Sequence, residues 1–194
     1  MTLPNKLFFT GVPGSKWSSI SQILEMLPNV NTSDHKDTRM YSHKKFSGHK
    51  GVYFGKGMEF ESRLDSNYIN SAWNTLNGMK IVKSHDWAYN LDTIEKKFKN
   101  DWIMLVYRPN LASYKWWHDA GGFDIGYPTY HHYKNSKNML KEIQQQNQNI
   151  LDWAVQKNLS WHPFTPAWIE NTFDTYIDFK NKYNDILVSV FKPT

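Results

Sequence analysis

Several short polar segments of this sequence carry side chains that could bind and transfer an anionic group. Residues 11–18 read Gly-Val-Pro-Gly-Ser-Lys-Trp-Ser, a turn whose backbone N–H groups could cradle an oxyanion at the start of a helix. Residues 83–85 read Lys-Ser-His, which combines an ammonium group with an imidazole that could take up a proton. Arg108 and Ser113 could grip one phosphate through charge-assisted hydrogen bonds.

The turn at residues 11–18 differs from the P-loop of nucleotide triphosphatases. A P-loop has four residues between its first glycine and a Gly-Lys-Ser/Thr triplet. Here the triplet positions hold Lys16, Trp17 and Ser18, so the second glycine is missing and the lysine comes one place early. Ordinary ATP chemistry is therefore disfavoured, and a tight turn without a ligand is the structural alternative.

His85 and Arg108 each have a functional and a structural interpretation. His85 follows a predicted strand, and ligands of an open parallel sheet collect beyond the carboxyl ends of its strands. There it could act as a general base while Lys83 holds the transferred group, or it could be a capping or packing residue. Arg108 could hold a phosphate, or it could pair with a surface carboxylate. The residues by themselves leave both choices open.

The elements that would position these residues can be predicted from the apolar pattern. Apolar runs bounded by turns predict buried strands at residues 6–10, 79–82, 102–107 and 186–191. Helical patterns separate these runs, beginning with a stripe from Ile20 to Leu27 that Pro28 should end. Continuous apolar strands alternating with helices predict an α/β fold, in which a parallel sheet is covered by helices.

The remaining segments predict further helices and one long loop. Residues 34–59 lack a clear period and predict a surface loop, with one short strand near residues 52–54. Helices are predicted at residues 110–118 and 135–157, and a last one is opened by Pro166 and continues to residue 180.

Composition limits the classes of protein to which this chain can belong. The 194 residues are 40% hydrophobic, which excludes a disordered chain and suits a single domain over residues 1–194. The absence of cysteine excludes disulfides and a catalytic thiol. Because no apolar run has the length of a membrane span and the first residues do not resemble a signal peptide, we expect a cytoplasmic protein. The net charge of +5 favours anionic partners, although a basic surface that serves only solubility would give the same net charge.

Taken in chain order, the polar segments resemble the sulfotransferase family. Residues 11–18 look like the family's loop for the 5′-phosphosulfate of 3′-phosphoadenosine 5′-phosphosulfate. Residues 83–85 look like its Lys-Thr-His catalytic element, and Arg108 with Ser113 like its 3′-phosphate contacts. Residues 168–190 are similar to its late helix and strand. The resemblance implies a three-layer parallel sheet with P-loop NTPase-like topology, and 3′,5′-adenosine bisphosphate as the product.

The same resemblance implies a role for each matching residue. His85 would be the catalytic base, and Lys83 or Lys16 would neutralise the negative charge that develops during transfer of the sulfuryl group. The acceptor would be a hydroxyl or amine of a small molecule, saccharide or peptide. The transfer would need no metal ion. Two positions depart from the family pattern, since Gly14 replaces its usual basic residue and Lys16 replaces its loop glycine. The residues implied in cofactor binding are Gly11, Pro13, Gly14, Ser15, Lys16, Trp17, Ser18, Arg108 and Ser113.

Two functions of other classes remain as alternatives. A P-loop kinase of a small molecule or nucleotide would need Mg²⁺ ligands near the strand ends, where Asp86 and Asp101 are the nearby carboxylates. The other alternative is a noncatalytic protein that binds a nucleotide or a nucleic acid. If nucleic acid were the partner, binding to strands should depend steeply on the salt concentration. We do not expect a nucleic-acid partner. The histidines at positions 118, 131 and 132 lack the spacing of a known metal motif, so no metal site is predicted.

Overall fold

The computed structural model describes residues 2–35, 59–60, 62–124, 134–180 and 182–193. The predicted strand near residues 52–54 and most of the predicted long loop lie outside these ranges. The described strands are β1 (Lys6–Gly11), β2 (Lys80–Lys83), β3 (Trp102–Tyr107), β4 (His162–Pro163) and β5 (Leu187–Phe191). The described α-helices are α1 (Trp17–Leu24), α2 (Ser66–Asn70), α3 (Leu91–Lys97), α4 (Asn110–Asp119), α5 (Ser136–Gln156) and α6 (Pro166–Phe173).

The centre of the sheet is parallel, as the apolar runs predicted. Strand β1 pairs with β2 on one side and with β3 on the other, and both pairings are parallel. Phe9 lies opposite Lys83 of β2 and Met104 of β3, so the three strands end at one edge of the sheet. Residues of β1 to β3 are buried almost throughout, because helices cover both faces of a parallel sheet.

The other side of the sheet is antiparallel, so the prediction of a wholly parallel sheet is wrong there. Strand β5 runs antiparallel to β3, and the short β4 runs antiparallel to β5. Within the described residues the strand order is β2-β1-β3-β5-β4. A short apolar run has the same pattern in either direction, and the direction of its strand depends on where the preceding connection enters the sheet. The fold is thus α/β with a mixed sheet, and the P-loop NTPase-like topology stays a prediction.

Two apolar clusters fill the space on the two faces of the sheet. Leu7 and Phe9 of β1 point into the cluster that contains the apolar residues of α1 and α6. Phe8, between them, points to the opposite face, where α3 and α5 contribute Leu91, Ile94, Ile150 and Trp153. This alternation along β1 is the period of a strand, and it produces the predicted three layers. No helix in the described ranges is long and apolar enough to cross a membrane.

Local signals mark the starts of α5 and α6. Helix α5 begins after Asn135, whose side chain accepts a hydrogen bond from the N–H of Asn138. Helix α6 opens with Pro166, as predicted, but it ends at Phe173 because Asp174 adopts a left-handed conformation with φ of 58°. The prediction that this helix continues to residue 180 is therefore wrong.

Candidate functional site

The three predicted polar segments lie at the same edge of the sheet. The loop at residues 11–18 follows β1, Lys83 ends β2, and Arg108 follows β3 directly. The parallel register places Gly11 opposite Val106, two residues before Arg108. His85 begins a 3₁₀ helix (His85–Tyr89) just after β2, and its ring contacts the carbonyl of Gly11. The segments that the sequence analysis expected to lie near one another are thus brought together at this edge.

The loop itself is a tight turn that packs under α4. The N–H of Ser15 donates to the carbonyl of Val12 at 3.0 Å, and Gly14 has φ of 78°. A Cβ atom at Gly14 would lie only 1.9 Å from the carbonyl oxygen of Ser113, so this position requires glycine. Lys16, with φ of 59°, then starts α1 without a side-chain cap among the described residues. The positive end of the α1 dipole therefore adjoins the loop.

Arg108 is buried against the loop and has a carboxylate partner. Its Nε and Nη2 donate to Oδ2 of Asp185 at 2.7 and 2.6 Å, while Nη1 donates to the carbonyl of Gly14 at 2.8 Å. The Arg108 side chain is 8% exposed, compared with 41% for Asp185. Of the two interpretations offered by the sequence, the arginine paired with a carboxylate therefore describes this residue. In this pair the arginine is buried and the aspartate is partly exposed. Sequence reasoning did not find Asp185 as the partner, because the two residues are far apart along the chain.

Lys16 adds a second cation close to Arg108. Its Nζ donates to the carbonyl of Lys182 at 2.9 Å and lies 4.7 Å from the ring centroid of Trp116. Burial lowers the pKa of Lys16, and the charges of Arg108 and Lys182 lower it further, whereas Asp185 acts in the opposite direction. The repulsion between neighbouring cations means that an added anion would be stabilised at this end of the loop.

Ser113 supports Arg108 from beneath the loop. The residue is fully buried, and its hydroxyl donates to the carbonyl of Arg108 at 3.3 Å. The side-chain amide of Asn147 donates to the same carbonyl at 2.9 Å. These bonds fix the backbone at the end of β3, so the geometry favours a positioning role for Ser113 over the predicted contact with a phosphate. Asn147 is a further site residue that sequence reasoning missed.

His85 is held at the junction of β1, β2 and α1. It is 4% exposed, its backbone N–H donates to Glu59 Oε1 at 2.9 Å, and its ring lies 4.1 Å from the ring of Trp17. Nδ1 of His85 contacts the carbonyl oxygen of Gly11. Because a carbonyl oxygen can only accept, Nδ1 carries the hydrogen in the neutral ring, and Nε2 carries the lone pair.

Lys83 forms an ion pair that the sequence did not reveal. Its Nζ lies 3.0 Å from Oε1 of Glu25, the residue that caps the end of α1. His35 Nε2 lies 3.4 Å from the other oxygen of the same carboxylate. Burial alone would raise the pKa of Glu25, but the hydrogen bond from His35 and the charge of Lys83 lower it to about 2. No local signal in the sequence marks this pair, because its partners are 58 residues apart along the chain.

The other loop residues differ in how far solvent reaches them. Pro13, Ser15 and Trp17 are buried, whereas Gly14 and Ser18 are half-buried. Ser15 Oγ is fully buried and has no hydrogen-bond partner among the described residues. Burial of an unpaired hydroxyl is unfavourable, so this oxygen is a candidate to bind a ligand group.

Comparisons with known proteins give no further assignment of this site. No protein-family model, curated protein or solved structure matches the chain significantly. Within the described ranges, no group of three or more His, Asp or Glu side chains could hold a metal ion. His131 and His132 lie outside those ranges.

Proposed function

We propose that this protein is a sulfotransferase-like enzyme that moves a sulfuryl group from 3′-phosphoadenosine 5′-phosphosulfate to a hydroxyl or amine acceptor. The observation that carries the proposal is that the loop at residues 11–18, His85 and Arg108 converge at one edge of the sheet. These are the segments on which the resemblance to the sulfotransferase family rests. The same edge is where ligands of open α/β sheets bind.

The residues at the loop fit a ligand that carries phosphate. Lys16 and Arg108 supply neighbouring positive charges, Ser15 supplies a buried hydroxyl, and α1 directs the positive end of its dipole at the loop. When bound, the donor would supply a sulfuryl group whose S–O bond to phosphate can break. Trp17, whose indole lies between the rings of Phe9 and His85, would pack the floor of this site.

His85 would accept the proton that the acceptor loses. The acceptor oxygen or nitrogen forms a bond to sulfur, the bond from sulfur to the phosphate oxygen breaks, and that oxygen keeps the electron pair. The acceptor's proton would pass to Nε2, because Nδ1 already donates to the carbonyl of Gly11. Since His85 is only 4% exposed, the side chains that cover it must move when the acceptor binds.

The cations would stabilise charge during the transfer. Lys16 belongs to the loop and its charge interacts with that of Arg108, so we assign to it the stabilisation of the charge that develops on the leaving phosphate. Lys83 is neutralised by Glu25 and would hold α1 against β2, and it would act on the sulfuryl oxygens only if this ion pair opened. Arg108 would hold the second phosphate of the donor.

A nucleotide-binding protein without transfer activity is the second candidate, and the burial of His85 and the Lys83–Glu25 ion pair favour it. Measurement of sulfuryl transfer from labelled donor, together with melting curves in 3′,5′-adenosine bisphosphate and AMP, separates the two. The enzyme should turn over donor, and at a hundredfold excess over Kd the bisphosphate should add about 2.7 kcal/mol of stability. Stabilisation without turnover on any hydroxyl or amine acceptor would favour the noncatalytic protein. Equal stabilisation by AMP would contradict the assignment of the donor.

A further inference from the structure

Three residues of the segment 182–185, here called the closing segment, contact the loop, α1 or Arg108. The carbonyl of Lys182 accepts from Nζ of Lys16 at 2.9 Å. The Tyr183 ring centroid lies 5.9 Å from the same Nζ, and Tyr183 packs against the apolar cluster that includes Trp17 and Ile20 of α1. Asp185 then binds Arg108 through its carboxylate. The closing segment is therefore attached to both cations of the candidate site.

Through Oδ2, the carboxylate of Asp185 occupies Nε and Nη2 of Arg108, the groups that a ligand's phosphate would use. Phosphates and carboxylates both accept paired hydrogen bonds from a guanidinium group. Arg108 donates Nε and Nη2 to Asp185 and donates Nη1 to the carbonyl of Gly14, and its side chain is only 8% exposed. A phosphate that approaches Nε and Nη2 must therefore take the place of Asp185. Because Asp185 is 41% exposed, it can turn into water when it is displaced.

We propose that the closing segment is a latch, in which Asp185 competes with the ligand's phosphate for Arg108 and is released when that phosphate binds. The proposal rests on the proposed function in assigning Arg108 to a phosphate of the ligand. A phosphate dianion outcompetes a single carboxylate, whereas a ligand that leaves Arg108 untouched gains nothing from the release of Asp185. The latch thereby selects ligands that bring a second phosphate to Arg108.

The test compares Asp185→Asn with a matched control. The asparagine keeps the size of the side chain and one acceptor oxygen for Arg108, but it removes the competing charge. Asp178→Asn makes the same change in net charge at an exposed position of the same connection between α6 and β5, where the described residues show no ion pair. Calorimetry on the full chain measures Kd for pyrophosphate, 3′,5′-adenosine bisphosphate and AMP. We expect Asp185→Asn to bind the first two about tenfold more tightly, with AMP and the control changed less than about twofold.

Each outcome separates the latch from the proposed function. If Asp185→Asn leaves the affinity for pyrophosphate and the bisphosphate unchanged or weakens it, the latch is wrong, while a preference for the bisphosphate over AMP would still support the proposed function. If Asp185→Asn binds pyrophosphate more tightly but neither protein prefers the bisphosphate to AMP, the latch stands and the proposed function fails. If neither protein binds pyrophosphate or the bisphosphate, both proposals are wrong.

Discussion

Replacing Gly14 with alanine tests the close packing of the loop at residues 11–18 against α4. The new Cβ would lie 1.9 Å from the carbonyl oxygen of Ser113 and 3.0 Å from Cβ of Trp117. The overlapping atom at Ser113 belongs to the backbone, so no rotation of a side chain can relieve the contact. The loop or α4 must instead move by roughly 1 Å, and dense packing on both sides opposes such a shift.

The expected loss of stability follows from two separate costs. An alanine with the φ of 78° found at Gly14 adopts a left-handed conformation, which costs about 1–2 kcal/mol. Forcing extra volume into a packed contact costs about 1–3 kcal/mol more. The sum of about 2–5 kcal/mol should lower Tm on the order of 10 °C for a chain of this length. The displacement should also weaken bisphosphate binding, because Gly14 accepts a hydrogen bond from Arg108.

Gly122→Ala is the matched control for this substitution. Gly122 also has a positive φ, 48°, but a Cβ there would meet its nearest neighbour, an atom of the Trp117 ring, at 3.5 Å. This variant should therefore carry the cost of the conformation, about 1–2 kcal/mol, without the overlap. Urea unfolding of both variants gives the comparison directly. Equal losses of stability at the two glycines would refute the close approach of the loop to α4.

The remaining predictions concern individual charged and titratable residues. In calorimetry, Arg108→Lys should weaken binding of 3′,5′-adenosine bisphosphate about tenfold or more but binding of AMP much less, because lysine keeps the charge and loses the paired N–H donors of the guanidinium group. Equal losses of affinity for the two ligands would assign Arg108 to the fold alone. His85→Asn, which keeps an N–H donor near Nδ1, should lower the rate of sulfuryl transfer by about 10²- to 10⁴-fold and leave the bisphosphate affinity within a few fold of the original value. A folded variant with full turnover would remove His85 from the mechanism. Glu25→Gln should destabilise the protein by roughly 3 kcal/mol near pH 6, because the pKa of Glu25 lies at about 2 in the folded chain and near 4.5 when unfolded. That loss should shrink as the pH falls from 4.5 towards 2 in urea titrations, and a difference independent of pH would contradict the ion pair.

The sequence predicted those parts of the molecule that depend on neighbouring residues. Strand β3 has the predicted bounds, and α4 and α5 agree with prediction to within one residue at each end, because apolar runs and caps are local signals. The direction of β5 could not be predicted, since a short apolar run has the same pattern whichever way the strand runs. The end of α6 at Phe173 was missed because an aspartate in a left-handed conformation is uncommon, and nothing in the sequence marked it.

The ion pairs of the site were beyond sequence reasoning for a different reason, and they determine what the site can bind. Lys83 pairs with Glu25 and Arg108 pairs with Asp185 across long stretches of chain, so only the fold brings these partners together. Lys16 likewise donates to the carbonyl of Lys182. A ligand phosphate must therefore replace hydrogen bonds that already exist, and its affinity is the difference between the new bonds and the old ones. A nucleotide whose one phosphate binds at the loop leaves the pair of Arg108 with Asp185 in place. A ligand with a second phosphate can compensate for the bonds lost at the loop and at Arg108, which is why we expect selectivity for the bisphosphate to depend on Asp185.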